Sequence, residues 1–222
     1  MLVRDLNTMA YRSAWAEQES THAAVLAGGR EQLLLVEHPP VVTLGRMPGL
    51  EARVLASSAA LAERGVDVVE TDRGGQVTFH GPGQLVVYPI VRLADHRLSV
   101  GAYVHGLEDA VIAALGDLRV PAGRHPAKTV GVFAHGPDAV PRKIAAVGVR
   151  VRRGVTLHGL ALNVTTDLSC FDLIVPCEGD PVTSIARERG DATPPMAAVK
   201  AAVVRHLARL FTAAERPSVQ SL

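Results

Sequence analysis

The sequence of 222 residues is poor in aromatics, lysine and cysteine. Aromatic residues make up 4% of it against 48% for all hydrophobic types, so a core must be built mainly from Ala, Val and Leu. Strong charge of either sign is also missing: 23 basic residues face 22 acidic ones, for a net charge of +1. That balance argues against a chain whose main task is gripping nucleic acid or an anionic membrane, because both need a large positive field. The two cysteines, Cys170 and Cys177, are too few for a disulfide scaffold and are not spaced as C-x-x-C. No neighbouring His or Cys completes a zinc site around them, so no metal is expected. No apolar run approaches the roughly 18–20 residues of a membrane helix. The start, MLVRDLNTMAYR, lacks the basic-then-apolar order of a signal peptide. The expectation is a soluble, cytoplasmic protein with reduced thiols.

Lysine is scarcer than the basic total suggests, because only Lys128, Lys143 and Lys200 are present and the rest is Arg. Each Lys therefore draws interest, since Lys can lose its proton near neutral pH and Arg cannot.

What is present reads as one domain over residues 1–215, with a frayed tail at 216–222. A short strand leads to a helix from Thr8 to Ala27, stopped by Gly28-Gly29. Gln32–Glu37 reads as a buried strand, broken by His38-Pro39-Pro40, with Val41–Gly45 paired back onto it. Ser57 caps a short helix that stops at Gly65, and Val66–Thr71 reads as a strand. After the glycine-rich stretch Asp72–Gln84 come the strand LVVYPIV and a helix capped by Ser99 that runs to about Leu115. Thr129–Ala134, Ile144–Arg152 and Leu157–Val164 read as three more strands, the first two joined by HGPDAVPR. Pro194-Pro195 starts a last helix. Strands grouped in the middle with helices between the groups predict α+β, a mixed β-sheet with packed helices.

Five short motifs carry chemistry, each beside a plainer reading. In Arg73–Gln84, paired glycines can bring backbone N–H groups close to a ligand, Arg73 can bind an anionic group and His80 can hydrogen-bond or shuttle a proton. The plainer reading is a hairpin, with Gly74-Gly75 turning between Val68-Val69 and Val77–Phe79. Neither a Walker loop nor G-x-G-x-x-G is present. Cys177 follows Pro176 at the end of FDLIV, as a nucleophile or as a buried thiol; Cys170 has the same plain reading more strongly. Lys143 opens an apolar strand, either snorkelling to water or desolvated as a base. In Leu157–Asn163, His158 and Asn163 flank small residues that leave room beside the backbone, or form an ordinary strand. Arg150–Arg153 is a short basic run, a solvated strand end or a docking patch for an acidic protein; a nucleic-acid reading lacks interleaved aromatics.

In order, RGGQVTFHGPGQLVVYPI, KIAAVGVRVRRGVTLHGLALNV and FDLIVPC resemble the octanoyltransferases of lipoate biosynthesis. The resemblance runs from about LLLVEHPPVVTLG to Thr183-Ser184-Ile185. It implies a fold like the catalytic domains of lipoate and biotin protein ligases. It also implies transfer of octanoyl from acyl carrier protein to a lysine of lipoyl domains, in 2-oxoacid dehydrogenase subunits and the glycine cleavage H protein, with no cofactor. By motif position Cys177 matches the acyl-thioester nucleophile and Lys143 its partner. Arg73, Gly74, Gly75, Gln76, Val77, Thr78, Phe79 and His80 match the acyl pocket, as do Ala146, Val147 and Gly148 and the triplet Gly159, Leu160 and Ala161. Glu178 stands where the family more often has Gly and is expected to point outward. Cys170 stands where an aromatic is common.

The chemistry of these residue types agrees. A thiolate attacking a thioester exchanges one thioester for another at little free-energy cost, and a nearby Lys can accept the thiol proton or stabilise the anion. Amide formation from the acyl-enzyme is downhill. An eight-carbon chain needs a narrow apolar channel, and Gly75, Gly148, Gly159 and Ala161 are small enough to line one. Backbone N–H groups beside the glycines are candidates for an oxyanion hole. Two alternatives stand beside this reading: an ATP-dependent lipoate–protein ligase and a non-catalytic acyl-binding module.

Overall fold

The computed structural model describes residues 1–125, 130–135, 140–176 and 179–212. The tail at 216–222, Lys128 and part of the HGPDAVPR turn lie outside the described residues. In chain order the elements are β1 (Leu2–Thr8), α1 (Tyr11–Leu26), β2 (Gln32–Glu37), β3 (Val41–Leu44), α2 (Ser58–Glu63), β4 (Asp67–Glu70), β5 (Val77–His80), β6 (Gln84–Ile90), α3 (Val100–Asp117), β7 (Ala122–Gly123), β8 (Val132–His135), β9 (Pro141–Arg152), β10 (Val155–Asn163), α4 (Ile185–Arg189) and α5 (Met196–Thr212).

A seven-stranded sheet runs β1-β2-β6-β10-β9-β8-β7, with β1 parallel to β2 and antiparallel pairs at β2–β6, β6–β10 and β10–β9. The apolar runs of β2 and β6 are continuous because both sheet faces are covered. Leu33 and Leu35 of β2, with Leu85 and Val87 of β6, face the core built with α3 and α5. Their alternates Leu34, Val36, Val86 and Tyr88 face the core built with α1. Ser57 and Ser99 cap α2 and α3 by accepting from Ala60 N and Ala102 N at 3.2 and 3.1 Å. The apolar stripe of α5, Val199, Val203, Leu207 and Phe211, is buried at helical spacing. No helix among the described residues is long and apolar enough to cross a membrane.

A second sheet has the order β4-β3-β5. It overturns two pairings expected above. β3 does not return onto β2; it lies parallel to β4 (Val41↔Asp67 to Leu44↔Glu70) and antiparallel to β5 (Val41↔His80 to Leu44↔Val77). Pro39-Pro40 cannot supply the N–H groups that would continue a ladder on β2, and the chain leaves the large sheet there. Nor do β4 and β5 form a hairpin about Gly74-Gly75, because β3 separates them. α1 and β4 are shorter than expected by a few residues at their ends.

The segment between β4 and β5 joins the sheets. Gly74 N–H donates to Val149 O on β9 at 3.0 Å, while Arg46 N–H donates to Arg73 O at 3.0 Å and Gly45 N–H to Gln76 O at 3.1 Å. The approach is close: a Cβ on Gly45 would lie 2.1 Å from Gly75 O. Gly45→Ala is therefore expected to destabilise the fold by about 1–3 kcal/mol, read as a lower urea midpoint at constant m. Gly101→Ala in α3, where nothing lies within 4 Å of the new Cβ, is expected to be neutral or to add about 0.5 kcal/mol.

Candidate active site

Holding the 73–76 segment against β9 leaves a cleft of about 450 Å³ between the two sheets. Of the sequence-expected pocket, the structure brings together Arg73, Gly75, Gln76, Thr78 and His80 from the small-sheet side with Ala146, Val147, Gly148, Gly159, Leu160 and Ala161 from β9 and β10. Strand alternation removes the side chains of others. Val77 and Phe79 are buried in the core of the small sheet, and the side chain of Leu160 belongs to the core on the opposite face of the large sheet. Gly74 contributes its backbone clamp. The small residues are required by backbone approach: a Cβ on Gly148 would meet Gly74 O at 2.8 Å, and one on Gly159 would meet Val87 O at 2.1 Å.

Arg73 is buried, and its guanidinium donates to Thr43 O at 2.7 Å, Thr43 Oγ1 at 2.9 Å and Gly74 O at 3.0 Å. Part of its expected anion-binding capacity is thus spent on orienting the loop that carries it. His80 is oriented by a chain of amides. Gln84 Nε2 donates to Phe79 O at 3.1 Å and to Asn163 Oδ1 at 2.9 Å, and Asn163 Nδ2 donates to Thr183 O at 2.9 Å. The backbone carbonyls at both ends fix the amide orientations. Gln84 Oε1 must then accept from His80 Nδ1–H at 2.7 Å, leaving Nε2 to accept from the Thr43 hydroxyl at 3.3 Å. Burial, reinforced by His38 and Arg73, pushes the His80 pKa well below 6.5, so the ring is neutral. The sequence reading of His80 as a hydrogen-bonding residue suits this environment better than a proton shuttle.

Sequence reasoning singled out His158 at the cleft's inner end but passed over the residues around it. Tyr11 and Tyr88, two of the chain's three tyrosines, meet His158 there. Beneath them the buried His38 donates from Nδ1–H to Met9 O at 2.7 Å and accepts from the Tyr88 hydroxyl at 2.8 Å. Burial lowers the His38 pKa to about 4 and raises that of Tyr11 to about 12. His158, with φ +57° at a non-glycine position, donates from Nε2–H to Asp72 Oδ1 at 2.6 Å, and its Nδ1 lies 3.4 Å from the Tyr11 hydroxyl. This hydrogen bond holds the Asp72 carboxyl below the usual range. The signal available in the sequence was scarcity: aromatics this few are worth locating.

Lys143, at the start of β9, lies in an adjoining recess of about 370 Å³ that shares Thr78, Ala146 and Ala161 with the first cleft. Its ammonium pairs with Asp180 Oδ2 at 3.0 Å and sits 5.1 Å from the Phe133 ring centroid. Asp180, which sequence reading did not single out, is brought there because Lys143 bridges Val182 in parallel, with Lys143 N–H donating to Pro181 O and Thr183 N–H to Lys143 O. Pro176 lines the same recess. Cys177 and Glu178, which follow it in the chain, lie outside the described residues. Cys170 packs against the small-sheet core, and burial pushes its thiol pKa up, as suits a packing residue. In the basic run, Arg150 pairs with Asp72 and Arg152 with Glu19.

The fold is that of lipoate and biotin protein ligases. A putative lipoate protein ligase from T. acidophilum, Ta0514, solved with bound lipoic acid, superposes with a TM-score of 0.77 at 18% identity, covering 95% of this chain and 86% of that one. A lipoate-protein ligase A solved with ATP gives 0.79 at 19% identity, covering 95% and 85%. The family model for the lipoyl protein ligase A/B catalytic domain matches residues 10–208. An octanoyltransferase of Chloroflexus aurantiacus is 46% identical over 227 residues, covering 100% of this chain and 98% of the relative. One of Mycobacterium tuberculosis is 47% identical over 190 residues, covering 85% and 77%. The chain belongs to the lipoyl protein ligase A/B catalytic family and, within it, to the octanoyltransferases, which are acyltransferase enzymes.

The buried neutral histidines set an acid limit on stability. Between pH 6.5 and about 4 the unfolded chain protonates His38 while the folded protein does not, so stability falls as pH drops through that window. The His38 share is on the order of 3 kcal/mol, and His80 adds in the same direction. Urea unfolding at pH 7, 6 and 5 should show this slope in the wild type and a shallower one in His38→Gln. Equal slopes would contradict the assignment.

Proposed function

We propose that this enzyme moves an octanoyl group from the thioester of acyl carrier protein onto a lysine of a lipoyl domain, through a thioester on Cys177. The observation that carries the reading is the adjacency of the two cavities. An apolar cleft shares Thr78, Ala146 and Ala161 with the recess that holds Lys143 and is lined by Pro176, the residue before Cys177.

In the first step the Cys177 thiolate attacks the thioester carbonyl carbon. A new C–S bond forms, the bond to the carrier sulfur breaks, and the carrier leaves as a thiol after taking up a proton. In the second step the neutral amine of the acceptor lysine attacks the same carbon. The C–S bond to Cys177 breaks, the amide forms, and the proton lost by the amine returns to the sulfur. Lys143 serves both steps from the start of β9. Its pairing with Asp180 restrains the side chain, and its further N–H donors are available to a thiolate or a developing oxyanion. The 2-oxoacid dehydrogenase acyltransferase subunits and the glycine cleavage H protein are the acceptor class this reading assigns.

Mixing the enzyme with octanoyl carrier protein should give a mass increase of one octanoyl group that maps to Cys177 and disappears on adding a lipoyl domain. Cys177→Ser should lower transfer by at least about 10³-fold. Lys143→Met should lower it by roughly 10²–10⁴-fold. Transfer that survives in Cys177→Ser, or that requires ATP, would contradict the acyl-enzyme route.

A further inference from the structure

Strand β9 breaks its own alternation beside Lys143. From Ala145 to Arg152 it pairs residue by residue with β10. Over that stretch Ala145, Val147, Val149 and Val151 face the core built with α3 and α5, while Ala146 and Gly148 face the cleft. Continued without interruption, this alternation puts Lys143 on the face of Ala145, inside the core. The register against β8 shows what prevents it. Val132 stands opposite Ala145, but Phe133 stands opposite Lys143, so one step on β8 answers two on β9. Ile144 is the extra residue of a β-bulge. It packs into the same core as Ala145, and Lys143 is thereby turned to the other face, where it meets Phe133 and Asp180.

The bulge is held from the helix side. Glu108 of α3 is 1% exposed, a carboxylate on a helix face that otherwise buries Tyr103, Leu107, Val111 and Leu115. A buried charge is costly unless donors match its oxygens. Here Oε1 accepts from Gly131 N–H at 2.7 Å, and Oε2 accepts from Arg124 Nε at 2.8 Å and from His105 Nδ1 at 2.9 Å. Gly131 is the residue before β8, at φ +126°, and it is packed on the bulge itself. A Cβ there would lie 3.1 Å from Ala145 O and 3.1 Å from Lys143 Cε. The carboxylate therefore fixes the backbone that the bulged strand rests against.

We infer that Glu108 is a positioning residue for Lys143. By holding Gly131 N–H it fixes the bulge at Ile144, and the bulge turns Lys143 from the helix-side core into the recess beside the cleft. Glu108 acts through the backbone of β8 and β9, from the face of the large sheet opposite the cleft. The consequence for transfer rests on the part given to Lys143 in the reading above.

Lysine labelled with 13C at Cε marks only Lys128, Lys143 and Lys200 in the full-length enzyme, so NMR can follow Lys143 without turnover. Its signal, assigned by its loss in Lys143→Met, is expected at high proton field from the ring current of Phe133, with Lys200 on α5 as the reference. Glu108→Ala should move the Lys143 signal toward that of a solvated lysine and leave Lys200 in place. It should also lower kcat for octanoyl transfer, per folded molecule, by roughly 10–10²-fold, with KM for octanoyl carrier protein held within about threefold. Glu108→Gln, whose amide oxygen can still accept from Gly131 N–H, should keep the signal and bring kcat back to within about threefold of wild type. Should Glu108→Ala not fold, Glu108→Asp, which draws the carboxylate back by one methylene, decides by the same shift of the signal. A Lys143 signal that stays in place in the folded variants overturns the inference, and so does a Glu108→Gln that behaves as Glu108→Ala does. A wild-type signal already at the solvated position overturns it too. A signal that moves while kcat does not supports the positioning and overturns the part of Lys143 in transfer.

Discussion

The clamp of the 73–76 segment on β9 is the constraint on which the rest of the structure depends. One backbone hydrogen bond, Gly74 N–H to Val149 O, anchors the segment to the large sheet, and those from Gly45 and Arg46 anchor it to the end of β3. The spacing of the sheets follows from how closely these backbones approach, which is why Gly45 and Gly148 bear no side chain. Arg73, Thr78 and His80 reach the cleft only because the segment that introduces them is held there. The guanidinium of Arg73, bonded to Thr43 O and Gly74 O, strengthens the same clamp from inside.

Charge is sorted along the cleft. His38 and His80 are uncharged at its buried end because burial penalises the protonated ring, and the tyrosines there keep their protons for the same reason. Ion pairs sit at the margins, Lys143 with Asp180 at one side and Asp72 with Arg150 behind His158 at the other, while the Arg73 guanidinium lines the cleft itself and is hydrogen-bonded to Thr43 and Gly74. A cleft lined mostly by apolar and neutral side chains, with a Lys–Asp pair in the recess beside it, suits the alkyl chain and the carbonyl of an acyl group. A rigid, hydrogen-bonded end also keeps water from following the chain inward.

Much of the fold was legible because its signals are local. Ser57 and Ser99 mark helix starts, Gly28 marks a stop, and the continuous apolar runs of β2 and β6 announce strands buried on both faces. Pairing was not legible. β3 follows β2 by three residues in the chain yet belongs to another sheet, since its partners are chosen by burial in the small-sheet core and not by proximity in sequence. The glycine loop and Lys143 were legible as motifs through family resemblance, as was Cys177, which lies outside the described residues. Tyr11 and Asp180 were not, because neither stands in a recognisable pattern, and His38 and Tyr88, though inside the stretches LLLVEHPPVVTLG and LVVYPI, were read there only as a strand break and a strand residue. Tyr11 meets His158 across 147 residues, and Asp180 meets Lys143 only through a parallel bridge between distant segments.

The account's central proposal is that the cleft between the two sheets is the acyl site, with the ring cluster as its buried wall. An octanoyl analogue carrying a photoreactive diazirine at its terminal carbon tests this most directly, with the cross-linked residue read by peptide mass spectrometry. The account requires labelling of Tyr11, Tyr88 or His158. Labelling confined to the outer rim, at Gly75 or Gln76, or to the surface between α3 and α5, would contradict it.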